Sequence, residues 1–212
     1  EKGLVDEEAF ISAGKNPVVA RRYGLSVPSL EGYLYPDTYY FGLGLSPASI
    51  IDTMVRRFFQ IIAPFKERMK QTGMSLQQVV TLASIVEKET GNAKERPLIA
   101  SVFINRLKRG MRLESDPTVI YGLRGFDGNL KKSHLSEQSP YNTYVIKGLP
   151  PGPIANPGKD SIRAVLYPAK TEYLYFVSKN DGTHYFSRTL KEHNRAVETY
   201  QKRRRHRSQK TS

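Results

Sequence analysis

The 212-residue chain has no cysteine and no tryptophan. Without cysteine there is no disulfide framework, no thiolate metal site and no thiol nucleophile. That absence fits a cytoplasmic and an exported location equally well. No apolar run approaches the roughly 18 residues of a membrane span, and there is no signal peptide. The first residue is Glu1 rather than Met, so the chain reads as a piece of a longer protein whose upstream anchor would be out of view. Histidine is scarce too. His134, His184, His193 and His206 are scattered without HExxH or comparable spacing, so no catalytic metal or cofactor is expected. A magnesium or calcium site built from Asp and Glu alone stays open. With no GxxxxGK[ST], GxGxxG or GxSxG element, nucleotide binding and a serine triad have no support.

Acidic residues are outnumbered, 20 against 33 basic, for a net charge of +13. Six of the positive charges (Lys202, Arg203, Arg204, Arg205, Arg207 and Lys210) lie after Tyr200 in a tail without apolar residues, which is expected to be disordered. Such a tail suits an anionic membrane or nucleic acid, or simply keeps the chain soluble. A basic body also suits a carboxylate-bearing cell-wall glycan.

Punctuation by Pro, Gly and capping residues divides the rest. Residues 6–25 read as two short helices, the second capped by Asn16 with Pro17 at its first position and Gly24 past its end. Residues 31–41 (EGYLYPDTYYF), aromatic and broken by Pro36, read as an extended strand. Ser46-Pro47 opens a long helix with Ile50, Ile51, Met54, Val55, Phe58, Phe59 and Ile62 at core spacing. Pro64 kinks or ends it, and Gly73 closes the region. A helix over 96–109 stops at Gly110. Residues 111–158 lose periodicity and fill with Gly, Pro, Asn, Ser and Tyr, the pattern of a binding segment or lid. A short helix over 161–167 follows. Residues 173–177 and 183–187 flank an Asn180-Asp181-Gly182 turn, a hairpin signal, and a last helix covers 189–202.

The chemistry concentrates in the helix at 75–90 (SLQQVVTLASIVEKET). Ser75 and Gln78 make a capping box. Leu76, Val79, Val80, Leu82, Ala83, Ile85 and Val86 cover about half the wheel, while Gln77, Thr81, Ser84 and Lys88 form a narrow polar strip. Glu87 and Glu89 therefore point toward apolar surroundings, about 160° apart at about 100° per residue, just before a Gly91 stop. Burial and the negative end of the helix dipole both disfavour the charged carboxylate. A carboxyl held protonated near neutrality is what a general acid needs. The alternative is that both acids only salt-bridge to neighbouring Arg or Lys, and wheel position does not choose between them. Beside them, the Tyr/Asn/Gly/Pro segment has the composition of a carbohydrate site, where aromatic faces stack on pyranose rings, though such segments also serve protein interfaces.

Five segments, LEGYLYPDTYYF, LASIVEKETG, ASVFINRLKRGMRLESDPTVIYGL, SPYNTYVIKGLPPGPIANPG and LYPAKTEYLYFV, together resemble the endolytic murein transglycosylases of the MltG/YceG-like family, in the family's order. The resemblance implies a single-pass inner (plasma) membrane protein with its catalytic domain outside the cytoplasm, acting on nascent peptidoglycan. It also implies penicillin-binding synthases and the elongation machinery as partners, and no nucleic acid. By resemblance, residues 1–29 end an amino-terminal LysM-like region and linker, 30–201 form the catalytic domain, and 202–212 are the tail. The family's catalytic residue is the second Glu of its EKE motif, here Glu89.

The implied reaction is the lytic one, which needs a single carboxyl where hydrolases use two. Glu89 protonates the oxygen between N-acetylmuramic acid and N-acetylglucosamine. It then takes the proton of the muramyl C6 hydroxyl as that closes on C1. Ser115, Asp116, Tyr121, Tyr141, Asn142 and Tyr144 are the expected substrate contacts, with Glu87 supporting them, paired to Arg106. Asp116-Pro117 beginning a turn and Asn142 bonding its own backbone are the structural alternatives. Glu31 and Asp37 are expected to fix a fold corner, and Pro150, Pro151 and Gly152 to stiffen one wall of the site. Two other functions stay open: a non-catalytic glycan-binding module, and a nucleic-acid binder working through the tail. The expected fold is α+β, with helices packed around a small, mostly antiparallel sheet built from 31–41, pieces of 111–146 and the 173–187 hairpin.

Overall fold

A computed structural model describes residues 4–202 of the chain. Residues 203–212, which hold most of the basic tail, lie outside it. Helix α1 (Glu7–Gly14) is capped by Asp6, whose side chain accepts from Ala9 N, and α2 (Pro17–Arg22) by Asn16. Ala20, Leu25, Val27 and Leu30 then enter the core shared with the rest of the chain.

Residues 31–41 do not form the expected strand. Their amides find a side chain instead of a neighbouring strand: Asn156 Oδ1 accepts from Gly32 N (2.7 Å) and Leu34 N (3.2 Å). Gly32 has φ 87°, and a Cβ there would lie 2.5 Å from Pro153 Cγ, so the two segments meet closely enough to exclude any side chain. The aromatics act as anchors. Tyr33 is fully buried, edge-on to Phe58 at 5.2 Å. Asp37 pairs with Arg57 at 2.8 Å and holds the corner as expected.

Helix α3 (Pro47–Ile62), capped by Ser46, buries Ile50, Ile51, Val55, Phe58 and Ile62. Pro64 ends it in a 3₁₀ turn that leads into α4 (Lys66–Thr72), closed by left-handed Gly73. Helix α5 (Leu76–Glu89) has the expected capping box, and every residue from Val79 to Val86 is buried. The polar strip thus breaks: Thr81 and Ser84 are inside, and only Lys88 is open to solvent. A helix enclosed on all sides does not need an amphipathic face. Ser84 is accommodated because its hydroxyl donates to Thr81 O (2.7 Å) and accepts from Ile154 N (3.0 Å). The termination at Glu89 comes from extended Thr90, not from a left-handed Gly91.

Helix α6 (Arg96–Lys108) follows, with Gly110 at φ 65° past its end. Within the segment read as irregular lies α7 (Asp116–Gly122), with Pro117 in its first turn, and a 3₁₀ turn at Lys132–Ser136. Two turns of helix are too short for a periodic apolar pattern, which is why composition hid α7. Helix α8 (Lys159–Leu166) packs on α5 and α6. Strands β1 (Tyr175–Ser178) and β2 (His184–Ser187) pair antiparallel, Phe176 opposite Phe186, around the expected turn. Asn180 at φ 61° and Gly182 at φ 84° make that turn. Helix α9 (Leu190–Val197) has its own capping box at Thr189 and ends in a π turn at Glu198–Lys202.

The fold is α+β, but the sheet among the described residues is this hairpin alone. Its core is α5, gripped by α6, α7 and α8. Each of its fully buried Val, Leu or Ile side chains contributes about 1.5–3 kcal/mol. No helix of the described residues is long and apolar enough to cross a membrane.

Candidate active site

The C-terminal end of α5 opens on a cleft of about 440 Å³. It is lined by Glu89, Arg106, Leu113, Glu114, Asp116 and Tyr144, by Phe176, Val177 and Ser178 of β1, by His184 of β2, and by His193, Val197 and Gln201. Glu89 is enclosed by protein on all sides but this one. Burial, opposed by a hydrogen bond from Ser115 and reinforced by the charge of Asp116, raises its carboxyl from the ordinary 4.5 to about 7. Its position on the last residue of α5, at the dipole's negative end, acts in the same sense.

A polar floor fixes this geometry. Ser115 Oγ donates to Glu89 Oε1 at 2.5 Å. Ser115 is itself buried, its N–H bonded to Thr143 Oγ1 (2.9 Å) and its carbonyl to Thr118 Oγ1 (2.6 Å). The preceding Glu114 takes a left-handed conformation, φ 50°, which is sparsely populated for a residue with a side chain. That turn lets the chain leave α6 and present Ser115 toward Glu89, while the Glu114 carboxylate pairs with Arg106 at 3.1 Å. Beside them Tyr144 donates to Asp116 Oδ1 (2.6 Å). Burial first, then this carboxylate, pushes the Tyr144 phenol well above its usual range, so it stays a neutral donor.

Of the other expected site residues, only Arg106 lines this cleft. Glu87 points away from it, and its expected pairing with Arg106 does not form. Glu87 instead accepts from Ser161 Oγ (2.6 Å), Gly158 N (3.1 Å) and Arg96 Nη2 (3.3 Å). Arg106 is spent on the carbonyls of Leu174 (2.6 Å) and Leu113 (2.8 Å) and on Glu114. Its reach is set by its place on α6, where those carbonyls face it and Glu87 does not. Asn142 is buried, its amide donating to the carbonyls of His134, Leu135 and Glu137 while its Oδ1 accepts from Tyr144 N. All its hydrogen-bonding capacity goes to the backbone, so the structural alternative holds there. Asp116-Pro117 begins α7 rather than a simple turn.

Tyr121 and Tyr141 pack with their rings tilted and centroids 4.8 Å apart, next to Glu31 rather than Glu89. Burial raises the carboxyl of Glu31, and Glu31 in turn helps raise both phenols, that of Tyr121 to about 12. Pro150 and Pro151 line a different, apolar groove of about 600 Å³ with Met74, Ile104 and Leu107. The hairpin side of the cleft was missed entirely. Phe176 and Val177 fall in one of the five family-like segments but carry no expected role there. Ser178, His184 and His193 fall in none, and the pairing of β1 with β2 brings His184 into the same lining as Phe176 and Val177. Among the described residues, no three His, Asp or Glu side chains converge to hold a metal ion.

The model of the YceG-like family matches residues 4–199. The chain belongs to this family. An endolytic murein transglycosylase of Bacillus subtilis (strain 168) is 45% identical over 172 residues, 81% of this chain and 48% of that protein. One of Streptococcus pneumoniae serotype 2 (strain D39) is 34% identical over 205 residues, 91% of this chain and 37% of that one. This YceG-like chain thus spans about half or less of the length of the curated relatives it matches. The crystal structure of a yceG-like protein from Listeria monocytogenes shares 43% identity and a TM-score of 0.76 over 90% of this chain and 64% of its own.

Proposed function

We propose that the chain is the catalytic part of an endolytic murein lytic transglycosylase in which Glu89 is the single general acid and base. The observation that carries this reading is a carboxyl titrating at about 7 on the wall of a mostly polar cleft. Such a group is still protonated near neutrality, ready to donate to the glycosidic oxygen, and is basic enough afterwards to accept a proton. Protonation of the bridge oxygen breaks the β-1,4 bond between N-acetylmuramic acid and N-acetylglucosamine. The C6 hydroxyl of the muramyl residue then adds to C1 and gives its proton to Glu89. The product is a 1,6-anhydromuramyl end, no water is consumed, and the acid is restored. Cutting nascent strands internally ends their elongation.

Tyr144 and Asp116 contact the sugars at the scissile bond, while Ser115 orients the Glu89 carboxyl. The partly exposed Tyr121, packed against Tyr141 and at the other end of α7 from Asp116, takes a more distant ring. In the whole protein, a LysM-like region ending near residue 29 and a membrane helix precede the catalytic domain of 30–201. They hold it against the outer face of the plasma membrane beside the penicillin-binding synthases and elongation machinery that make its substrate. Residues 202–212 are its basic tail.

A second reading is favoured by one observation: Glu114 and Asp116 share the cleft, so a hydrolase with two carboxyls has the necessary groups. Both are already engaged, by Arg106 and Tyr144 respectively. Mass analysis of digested glycan strands separates the two. Anhydromuramyl ends support the lytic reaction, reducing ends the hydrolase, and no cleavage removes both.

A further inference from the structure

The cleft that holds Glu89 is also lined by a histidine held in a way that nothing in the lytic reaction requires. His184 opens β2, and both oxygens of one carboxylate hold it: Glu95 Oε1 accepts from the His184 backbone N–H (2.9 Å), and Oε2 lies 2.7 Å from Nδ1. Glu95 is buried at the N-terminal end of α6, where the helix dipole favours a negative charge. The imidazole is also packed edge-on against Phe176, with ring centroids 5.5 Å apart, and tilted against Phe186 at 6.3 Å. With Nδ1–H donating to the carboxylate, Nε2 is the ring's remaining acceptor. Nε2 has no hydrogen-bond partner among the described residues and is not among the buried atoms left without one.

A ring locked by a buried carboxylate and two aromatics, in the lining of the acid's cleft and with its one remaining polar atom unpartnered, is organised for a ligand. A surface histidine would need no such fixing. We propose that His184, oriented by Glu95, is a substrate-binding residue of the Glu89 cleft whose Nε2 accepts a hydrogen bond from a hydroxyl of the bound hexosamine. The inference rests on the transglycosylase reading for the identity of the sugar. It assigns a role to β2, which lies outside all five of the family-like segments. His193, in the same lining, is not a second such residue. It stacks on Tyr175 at 5.3 Å, burial lowers its basicity, and its Nδ1 is sealed from the cleft.

Two substitutions split the ring into its halves. In His184→Asn the amide nitrogen replaces Nδ1 and keeps the bond to Glu95, but nothing replaces Nε2. In His184→Gln the amide reaches the position of Nε2. The expected result is that His184→Asn melts like the wild type yet loses roughly tenfold in kcat/KM on uncrosslinked glycan strands, mostly through KM. His184→Gln should stay several-fold closer to wild type. A folded His184→Asn variant with wild-type kcat/KM would overturn the assignment. Should the Asn variant fail to fold, ¹⁵N NMR of the 212-residue chain carrying Glu89→Gln decides the matter: on addition of uncleaved glycan fragments the Nε2 resonance of His184 is expected to move. An Nε2 resonance unmoved under saturating fragment, or fragments that never bind, refutes the assignment. Absence of anhydromuramyl product from the wild type sinks only the enzyme reading, because the NMR experiment needs no turnover.

Discussion

Glu87 and Glu89 leave the same last turn of α5 and meet opposite surroundings. Glu87 is saturated with donors: the Ser161 hydroxyl, the Gly158 amide that caps α8, and Arg96 at the start of α6. It staples three helices together. Glu89 has one donor, Ser115, and otherwise faces an open, mostly polar cleft. Two carboxyls separated by one lysine thus become a brace and a proton carrier. The local supply of N–H and O–H groups makes the difference, not the identity of the side chain.

The largest effect that sharpens this contrast is on catalysis. Glu89→Gln should lower release of anhydromuramyl ends by about 10²–10⁴-fold, the usual worth of a general acid, without loss of the folded state. Mass analysis of digests alongside circular dichroism checks both halves, and a variant that still cleaves at wild-type rate breaks the contrast. Glu87→Ala should do the reverse. Removing the brace leaves the Ser161 hydroxyl and the Gly158 amide without their acceptor and Arg96 with only Asp160 at 3.7 Å, and is expected to cost about 3 kcal/mol in urea unfolding. Turnover per folded molecule should change little.

Stability against pH gives the next effect. The folded chain holds the Glu89 proton up to about pH 7, whereas the unfolded chain releases it near 4.5. Between those values the folded state binds more protons, so this group's contribution falls as pH rises through the window and is fully lost above 7. Compared with Glu89→Gln, the wild type should therefore lose on the order of 2–3 kcal/mol between pH 4 and pH 8. Parallel curves from denaturant titrations would contradict the raised value. The same group should set the alkaline limb of kcat near pH 7. The smallest effect follows from Ser115, whose hydrogen bond lowers the Glu89 value. Ser115→Ala should shift that limb upward by less than about one unit, which a pH–rate profile resolves.

Much of this architecture was legible beforehand, because local chemistry sets it. The capping boxes at Ser75 and Thr189, Pro64, the left-handed Gly73 and Gly110, and the Asn180–Gly182 turn all act within a few residues of themselves. The apolar run into EKE marked a buried acid for the same reason. The errors share a different cause. The strand expected at 31–41 fails because Asn156, more than a hundred residues away, captures its amides. The polar strip of α5 fails because Ile154 supplies a partner for Ser84. Asn142 looked like a sugar ligand by composition, yet its neighbours in space are three carbonyls.

By itself the sequence determined where the longer helices begin, that the chain is α+β, and that a carboxyl would sit at the end of an apolar helix. Capping, proline geometry and hydrophobic periodicity need only neighbours along the chain. Tertiary structure alone decided which of two adjacent glutamates is wired into the scaffold and which faces a cleft. It also decided that Glu95 and His184, 89 residues apart, share a hydrogen bond. Burial, donor supply and electrostatic environment are properties of what surrounds a group in space, and no spacing along the chain specifies them.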